Sequence, residues 1–194
     1  MRKSNVTIEK HAADFLKKYN SDDTIPVPIE EMIEFKLGIH IVPIKDLLKE
    51  HQIDGFLSHD CKEISIDEDI YIRQTNRSRF TLAHETGHVI MHHEIIKAKI
   101  NSIEDWKLHI LGAGSGRAIY ETEANIFAGS ILMPTKEINR AYQIARKKVV
   151  ESFESLNRTV PKDNTIIPYV ASHIAKQFEV SEQAAEIRLK NLFE

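Results

Sequence analysis

The sequence predicts an α+β fold in a single domain: a small antiparallel-containing sheet packed on a helical core, followed by a helical C-terminal part. Three observations predict it. Short apolar stretches of strand character cluster between residues 39 and 72 and lead directly into an apolar helical stretch. The later half of the chain carries apolar residues at helical spacing. At 194 residues, 42% hydrophobic and 28% charged, the chain is most simply one soluble domain whose core needs no staples. Within that domain the reading separates N-terminal helices and sheet at residues 1–76, a central helical part at 77–134, and a helical ending at 135–194.

In order, Thr7 to Tyr19 predicts a helix, because Ile8, Ala12, Phe15, Leu16 and Tyr19 fall on one side. Asn20-Ser21-Asp22-Asp23 supplies a turn. Pro28 suits the first position of a second helix, with Glu30 and Glu31 in its first turn and Gly38 as its C-terminal cap. Ile39 to Val42 alternates as a strand, and Asp46 to His51 is a short helix or loop. Phe56-Leu57 and Ile64-Ser65-Ile66 read as paired strands, and Ile70-Tyr71-Ile72 as a further one. Asn76 or Ser78 is the expected cap of the helix that follows.

That helix contains Phe80-Thr81-Leu82-Ala83-His84-Glu85-Thr86-Gly87-His88, a His-Glu-x-x-His motif. On a helix, His84 and His88 sit one turn apart on one face, with Cβ atoms about 6 Å apart. Two imidazoles so placed can close on one Zn²⁺, and Glu85 is placed to take a proton from a bound water. A shuffled chain of this composition would contain the bare motif about one time in twenty, so its context matters. Gly87 costs about 1 kcal/mol relative to Ala in a helix interior, and close approach of another element beside a metal would justify it.

The matching stretch is Glu121-Thr122-Glu123-Ala124-Asn125-Ile126-Phe127-Ala128, closed by Met133-Pro134. On a helix, Glu121, Ala124, Asn125 and Ala128 share a small-residue face against which a second helix could lie close. A two-histidine zinc site needs a third protein ligand and leaves a fourth position for water. Glu121 fits best by geometry, Glu123 is the alternative, and the carboxylate not used is expected at the solvated surface. Asn125 could hydrogen-bond a ligating histidine. His92, one turn beyond His88, is expected as a packing or solvated histidine. For an oxyanion donor, Tyr120, His92, His93, His109, Tyr142, Tyr169 and His173 are all available, and the sequence does not choose among them.

Between these motifs, Ile95 to Leu111 reads as partly helical and Gly112 to Gly116 as a flexible break without the features of a phosphate loop. Lys136 to Val150 is a helix whose Arg140, Arg146, Lys147 and Lys148 form a solvated basic side. Leu156 to Pro168 is expected as a loop. Ile167 to Phe178 and Ser181 to Leu192 then outline a helix–turn–helix. From Pro161 to Glu194, four Lys/Arg face five Asp/Glu, which argues against direct DNA binding. The net charge of −3 gives no drive toward nucleic acid or anionic membrane. Cys61 is the only cysteine, consistent with a reducing compartment. No apolar run approaches the roughly 20 residues of a membrane span, and Met1-Arg2-Lys3-Ser4-Asn5 does not resemble a secretory signal.

The stretch Arg79 to His88 and the Glu121-x-Glu-Ala-Asn-x-Phe-Ala-x-x-Ile-Leu-Met-Pro134 pattern together resemble the ImmA/IrrE family of metallo-endopeptidases. Val27-Pro28-Ile29 through Gly38-Ile39, and Phe178 to Leu189, are similar too. The resemblance implies a cytoplasmic bacterial, phage or mobile-element protein that cleaves a helix–turn–helix repressor and so relieves repression. It implies zinc, or another divalent metal, held by His84, His88 and Glu121, with Glu85 as general base. It also implies a gluzincin-like fold with an edge strand that holds substrate as an added strand, for which Ile64-Ser65-Ile66 is the candidate. The 32 residues between His88 and Glu121 are where the chain departs from the family pattern. Three rivals stand beside this reading: a metal-holding regulator that binds its partner without cutting, a DNA-reading transcription factor, and a general protease.

Overall fold

The structure, a computed structural model, describes residues 3–99 and 117–193. It is α+β, mostly helical with a small mixed sheet. Helix α1 (Asn5–Tyr19) is capped by Ser4, whose hydroxyl accepts from the Thr7 N–H, and it buries Ile8, Ala12 and Phe15. Pro28 precedes rather than opens α2 (Ile29–Glu31), which continues as a π-helical turn over Met32–Leu37. Gly38 ends it at φ 66, a left-handed conformation that costs glycine no steric strain.

Strand β1 (His40–Ile44), α3 (Leu47–His51), β2 (Gly55–Leu57) and β3 (Glu63–Asp67) follow. The sheet order is β1-β3-β2. β2 pairs with β3, as the sequence predicts, and does so antiparallel with Phe56 opposite Ser65. β1 joins the other side of β3 in parallel, pairing Ile41 with Ile64. The expectation that Ile64-Ser65-Ile66 is an edge is therefore wrong. β3 is the central strand, and all of Ile64 to Asp67 is buried. A strand with ladders on both sides has no open side for a substrate, which leaves β1 and β2 as the edges.

Ile70-Tyr71-Ile72 is not a strand but the middle of α4 (Glu68–Arg73). The cause is Asp67, whose Oδ1 accepts from the N–H groups of Asp69 and Ile70, with Glu68 and Asp69 favourably placed in the first turn. Its Oδ2 accepts from the Leu48 N–H at 2.9 Å, so one buried carboxylate starts α4 and ties α3 to the sheet. Burial alone would raise its pKa, but these three backbone donors outweigh that and hold it below the usual range. Neither Asn76 nor Ser78 caps the next helix, α5 (Thr75–Lys99), which starts before both. The Asn76 amide instead donates to the Val180 carbonyl at 2.9 Å, and the Ser78 N–H donates to the Gln74 carbonyl within the first turn.

After α6 (Arg117–Leu132) and α7 (Thr135–Ser155), α8 (Asp163–Phe178) begins inside the stretch expected as a loop and holds Pro168 in its interior. An interior proline costs about 3 kcal/mol. Burial of Ile166, Ile167, Val170, Ala171 and Ile174 offsets that cost, so packing overrides the local preference. Helix α9 (Glu182–Phe193) completes the helix–turn–helix outline, with the Ser181 hydroxyl accepting from the Ala184 N–H. Ile95 to Leu111 is described only as far as Lys99, where α5 runs on, and the Gly112–Gly116 stretch and His109 lie outside the described residues.

Helix α9 is held by Arg188, which is buried and points inward. Its guanidinium donates to both carboxylate oxygens of Glu9 on α1, to the Thr135 hydroxyl and to the Met133 carbonyl. Burial favours the neutral form of Glu9, but the Arg188 bond and charge, with Ser130 and Thr135, hold its pKa below the ordinary value. A carboxyl depressed on folding contributes stability above its unfolded pKa of about 4.3, and that contribution is lost as pH falls through the lower folded value. Melting temperature measured against pH will therefore fall on acidification from about pH 5 in the wild type. In Glu9→Gln the slope over that window will be shallower, though not flat, because Asp67 titrates in the same sense.

Candidate metal centre

The site lies where α5 crosses α6, and glycine permits the crossing. A Cβ added at Gly87 would stand 3.2 Å from the Ala124 Cα and 3.2 Å from the Phe127 ring. Small residues on both helices thus bring their backbones together, as the Gly87 and Ala124 positions in the sequence suggest. Their partners along the two helices then face each other: His84 and His88 from α5, Glu121 and Asn125 from α6.

His84 Nε2 is 3.1 Å from His88 Nε2 and 3.1 Å from Glu121 Oε2, while His88 Nε2 is 3.8 Å from Glu121 Oε1. Donor atoms each about 2.0–2.1 Å from one tetrahedral ion stand about 3.3 Å apart and cannot exceed about 4.2 Å. The two imidazole nitrogens, and each of them with its nearer Glu121 oxygen, satisfy that limit. With one donor atom from each residue, all three lie within 4.8 Å of one another, close enough for a small side-chain adjustment to close them on a shared metal ion. The His84 and His88 side chains are 14% and 8% exposed and Glu121 is 33% exposed, so the cluster is sheltered on the histidine side and open on the glutamate side.

The electrostatics point the same way. Burial disfavours charge on His84, yet its bond to Glu121, the charges of Glu85 and Glu121 and the bond to Asn125 outweigh it and raise its pKa. The pocket therefore favours positive charge where the three donors converge. His84 Nδ1–H donates to Asn125 Oδ1 at 2.9 Å, the contact expected of Asn125, so that when the ring gives up its second proton the Nε2 lone pair faces the cluster. Glu85 is buried in the same turn of α5, near enough to His84 to affect its charge.

Glu123 is not the surface carboxylate that the sequence suggested for whichever glutamate stands aside. It is 1% exposed and lies behind the His84–His88 pair, against the next histidine of the same α5 stripe. Its Oε2 meets His92 Nε2 at 3.0 Å, and both of its oxygens accept from Lys3, one from the backbone N–H and one from Nζ. His92 is neither solvated nor a simple packing residue, because its Nδ1 lies 3.0 Å from His88 Nδ1. Burial and the Lys3 charge hold the His92 pKa below its ordinary value, against the pull of Glu123. Burial acts to raise the Glu123 pKa, but His92 and Lys3 together keep it low. The signal for His92 was present in the sequence: His84, His88 and His92 recur every fourth residue on one stripe of α5.

Of the other candidate oxyanion donors, Tyr120 packs on His92 with the rings tilted at 50° and their centroids 4.9 Å apart, beside the site. Tyr142 is buried against Phe193, Tyr169 packs on Phe153, and His173 is exposed on α8, so these belong to other parts of the molecule. His93 sits beside Glu94.

A family model described as the IrrE N-terminal-like domain, peptidase M78, matches residues 36–190. No curated protein matches the chain.

The crossing at Gly87 makes a direct prediction. Alanine there gains about 1 kcal/mol of helix propensity, but a methyl group pressed on a backbone Cα and a buried ring costs about 1–3 kcal/mol of overpacking. Ala124 and Phe127 are fully buried, and the Ala124 contact is to backbone, which cannot swing aside as the end of a flexible side chain could. Gly87→Ala will therefore lower the unfolding free energy by about 1 kcal/mol in urea titration rather than raise it.

Proposed function

The chain belongs to the IrrE N-terminal-like peptidase family M78, and on that premise we propose that it is a zinc-dependent endopeptidase acting on a specific regulatory protein, a helix–turn–helix repressor whose cleavage relieves repression. The family supports a metallopeptidase-type function. The observation that carries the reading is the convergence of His84 Nε2, His88 Nε2 and a Glu121 carboxylate oxygen, with Glu85 buried in the same turn.

In this mechanism His84, His88 and Glu121 would hold the metal, which when bound would supply the Lewis acidity that activates water and polarises the scissile carbonyl. Glu85 takes a proton from the attacking water as the new C–O bond forms, then delivers it to the leaving nitrogen as the C–N bond breaks. Asn125 keeps His84 in the tautomer that presents Nε2 inward. The open side at Glu121 gives a substrate its way in.

Substrate would bind as an added strand on β2 rather than on β3. β2 is an edge strand, and a Cβ at its Gly55 would meet the Thr81 side chain at 2.7 Å, one turn of α5 before Glu85. An extended segment laid along β2 would run beside the turn that carries the site. Among the described residues no helix is long and apolar enough to cross a membrane, consistent with a protein substrate met in the cytoplasm.

The test mixes the protein and zinc with the repressor encoded next to it and follows intact mass. Cleavage at one bond is expected. Glu85→Gln will lose at least about 10²-fold in rate while keeping its zinc, and Glu121→Ala will lose the zinc itself. A repressor that binds stably but keeps its mass would replace the peptidase reading with that of a non-cleaving regulator. Turnover at the wild-type rate by the Glu85→Gln variant would remove Glu85 from the general-base role.

A further inference from the structure

The described residues contain a second line of buried polar groups behind the His84–His88–Glu121 cluster. It runs from His88 Nδ1 to His92 Nδ1 at 3.0 Å, from His92 Nε2 to Glu123 Oε2 at 3.0 Å, and from both Glu123 oxygens to Lys3. His92 and Glu123 are each 1% exposed. Lys3 precedes α1, 120 residues away in sequence, and lies outside the span matched by the family. Its ammonium also donates to the Met91 carbonyl on α5 at 3.4 Å, so this one residue is bonded to both helices of the crossing.

We propose that Lys3, Glu123 and His92 form a hydrogen-bond relay that fixes the tautomer and orientation of His88, making the segment before α1 a determinant of metal affinity. The inference rests on the reading of His88 as a ligand. Donor and acceptor bookkeeping sets its direction. An ionised carboxylate can only accept, so His92 must donate to Glu123 from Nε2. The Lys3 ammonium already balances the Glu123 charge, and the neutral imidazole of His92 then has only a lone pair at Nδ1. His88 must therefore carry its proton at Nδ1 and donate to His92, which leaves the His88 Nε2 lone pair aimed at His84 and Glu121. Asn125 does the same for His84 from the open side. Each histidine of the pair is thus oriented by a different residue, one partly wet and one dry.

The dry arm differs from a packing contact in what it requires. Filling the His92 site with an apolar ring would keep the volume but leave the His88 Nδ1–H without an acceptor in a buried place. Lys3 touches no proposed ligand, so an effect of changing it on the metal passes either through Glu123 and His92, which shifts the imidazole tautomers, or through the Met91 carbonyl of α5, which does not. Hydrogen-bond partners of this kind are worth about 10–100-fold in metal affinity.

The test measures zinc affinity of the full chain by competition with a chromophoric chelator, and reads imidazole tautomers by long-range ¹H–¹⁵N NMR. Expected are His88 protonated at Nδ1 and His92 at Nε2. His92→Phe will bind zinc about 10–100-fold more weakly, and Lys3→Ala several-fold more weakly. His92→Asn will recover part of the loss, because its Oδ1 occupies the place of the imidazole Nδ1 and accepts from His88. Lys3 is partly exposed, so Lys3→Ala keeps the test decisive even where a variant at the buried position fails to fold. Zinc affinities of His92→Phe and Lys3→Ala both within twofold of wild type would overturn the relay, as would the opposite pair of tautomers. A wild-type protein that holds no zinc would instead sink the ligand reading, and the tautomers in the same sample would still decide the relay.

Discussion

The contact between α5 and α6 at Gly87 and Ala124 is the constraint on which the site depends. Helix axes separated by ordinary side chains lie about 8–10 Å apart. A glycine facing an alanine brings the two backbones close enough that short side chains one turn away can share a small volume. His84 and His88 are both on α5, and alone they would be two histidines on a helix face. The closeness of α6 turns them into a cluster by delivering Glu121, and it also delivers Asn125 to hold His84.

Around that contact the protein uses buried charge to position rather than to stabilise. Removing two charges from water costs several kcal/mol, so a buried ion pair is a weak source of net stability. Such pairs are strict about geometry, however. The first ten residues of the described chain supply two of them, Lys3 to Glu123 and Glu9 to Arg188. One reaches α6 next to the site, and the other reaches across α6 and α7 to α9. Helix α1 and the residue before its cap are thus joined to α6 at Glu123 and at Ser130, while Phe15 packs against Phe127 between them. This makes the segment before the family-matched span part of the architecture of the site.

The sheet serves α5 rather than forming a core of its own. Its central strand is fully buried from Ile64 to Asp67, and Asp67 ends it by starting α4, which leads into α5. The start of α5 is therefore set by a strand end and a carboxylate cap. Edge strand β2 lies against the same helix at Thr81, which places the sheet, the general-base candidate and the cluster along successive turns.

What the sequence determined by itself is what local periodicity can carry. Hydrogen bonds four residues apart make helical faces readable, so His84, His88, Glu121 and Asn125 could each be assigned a direction before any packing was known. Gly87 and the small residues of α6 announced a close crossing in the same way. Only the tertiary structure decided which strand stands in the middle of the sheet, because a ladder partner is chosen by contacts across the fold and β1 and β2 are equally plausible neighbours in sequence. It decided that Asp67 caps a helix where three apolar residues looked like a strand, and that buried isoleucines carry α8 through Pro168. It also decided the place of Glu123. Whether a carboxylate two residues from Glu121 is solvated or buried depends on what meets it, and its partner Lys3 lies 120 residues away, where no local pattern reaches.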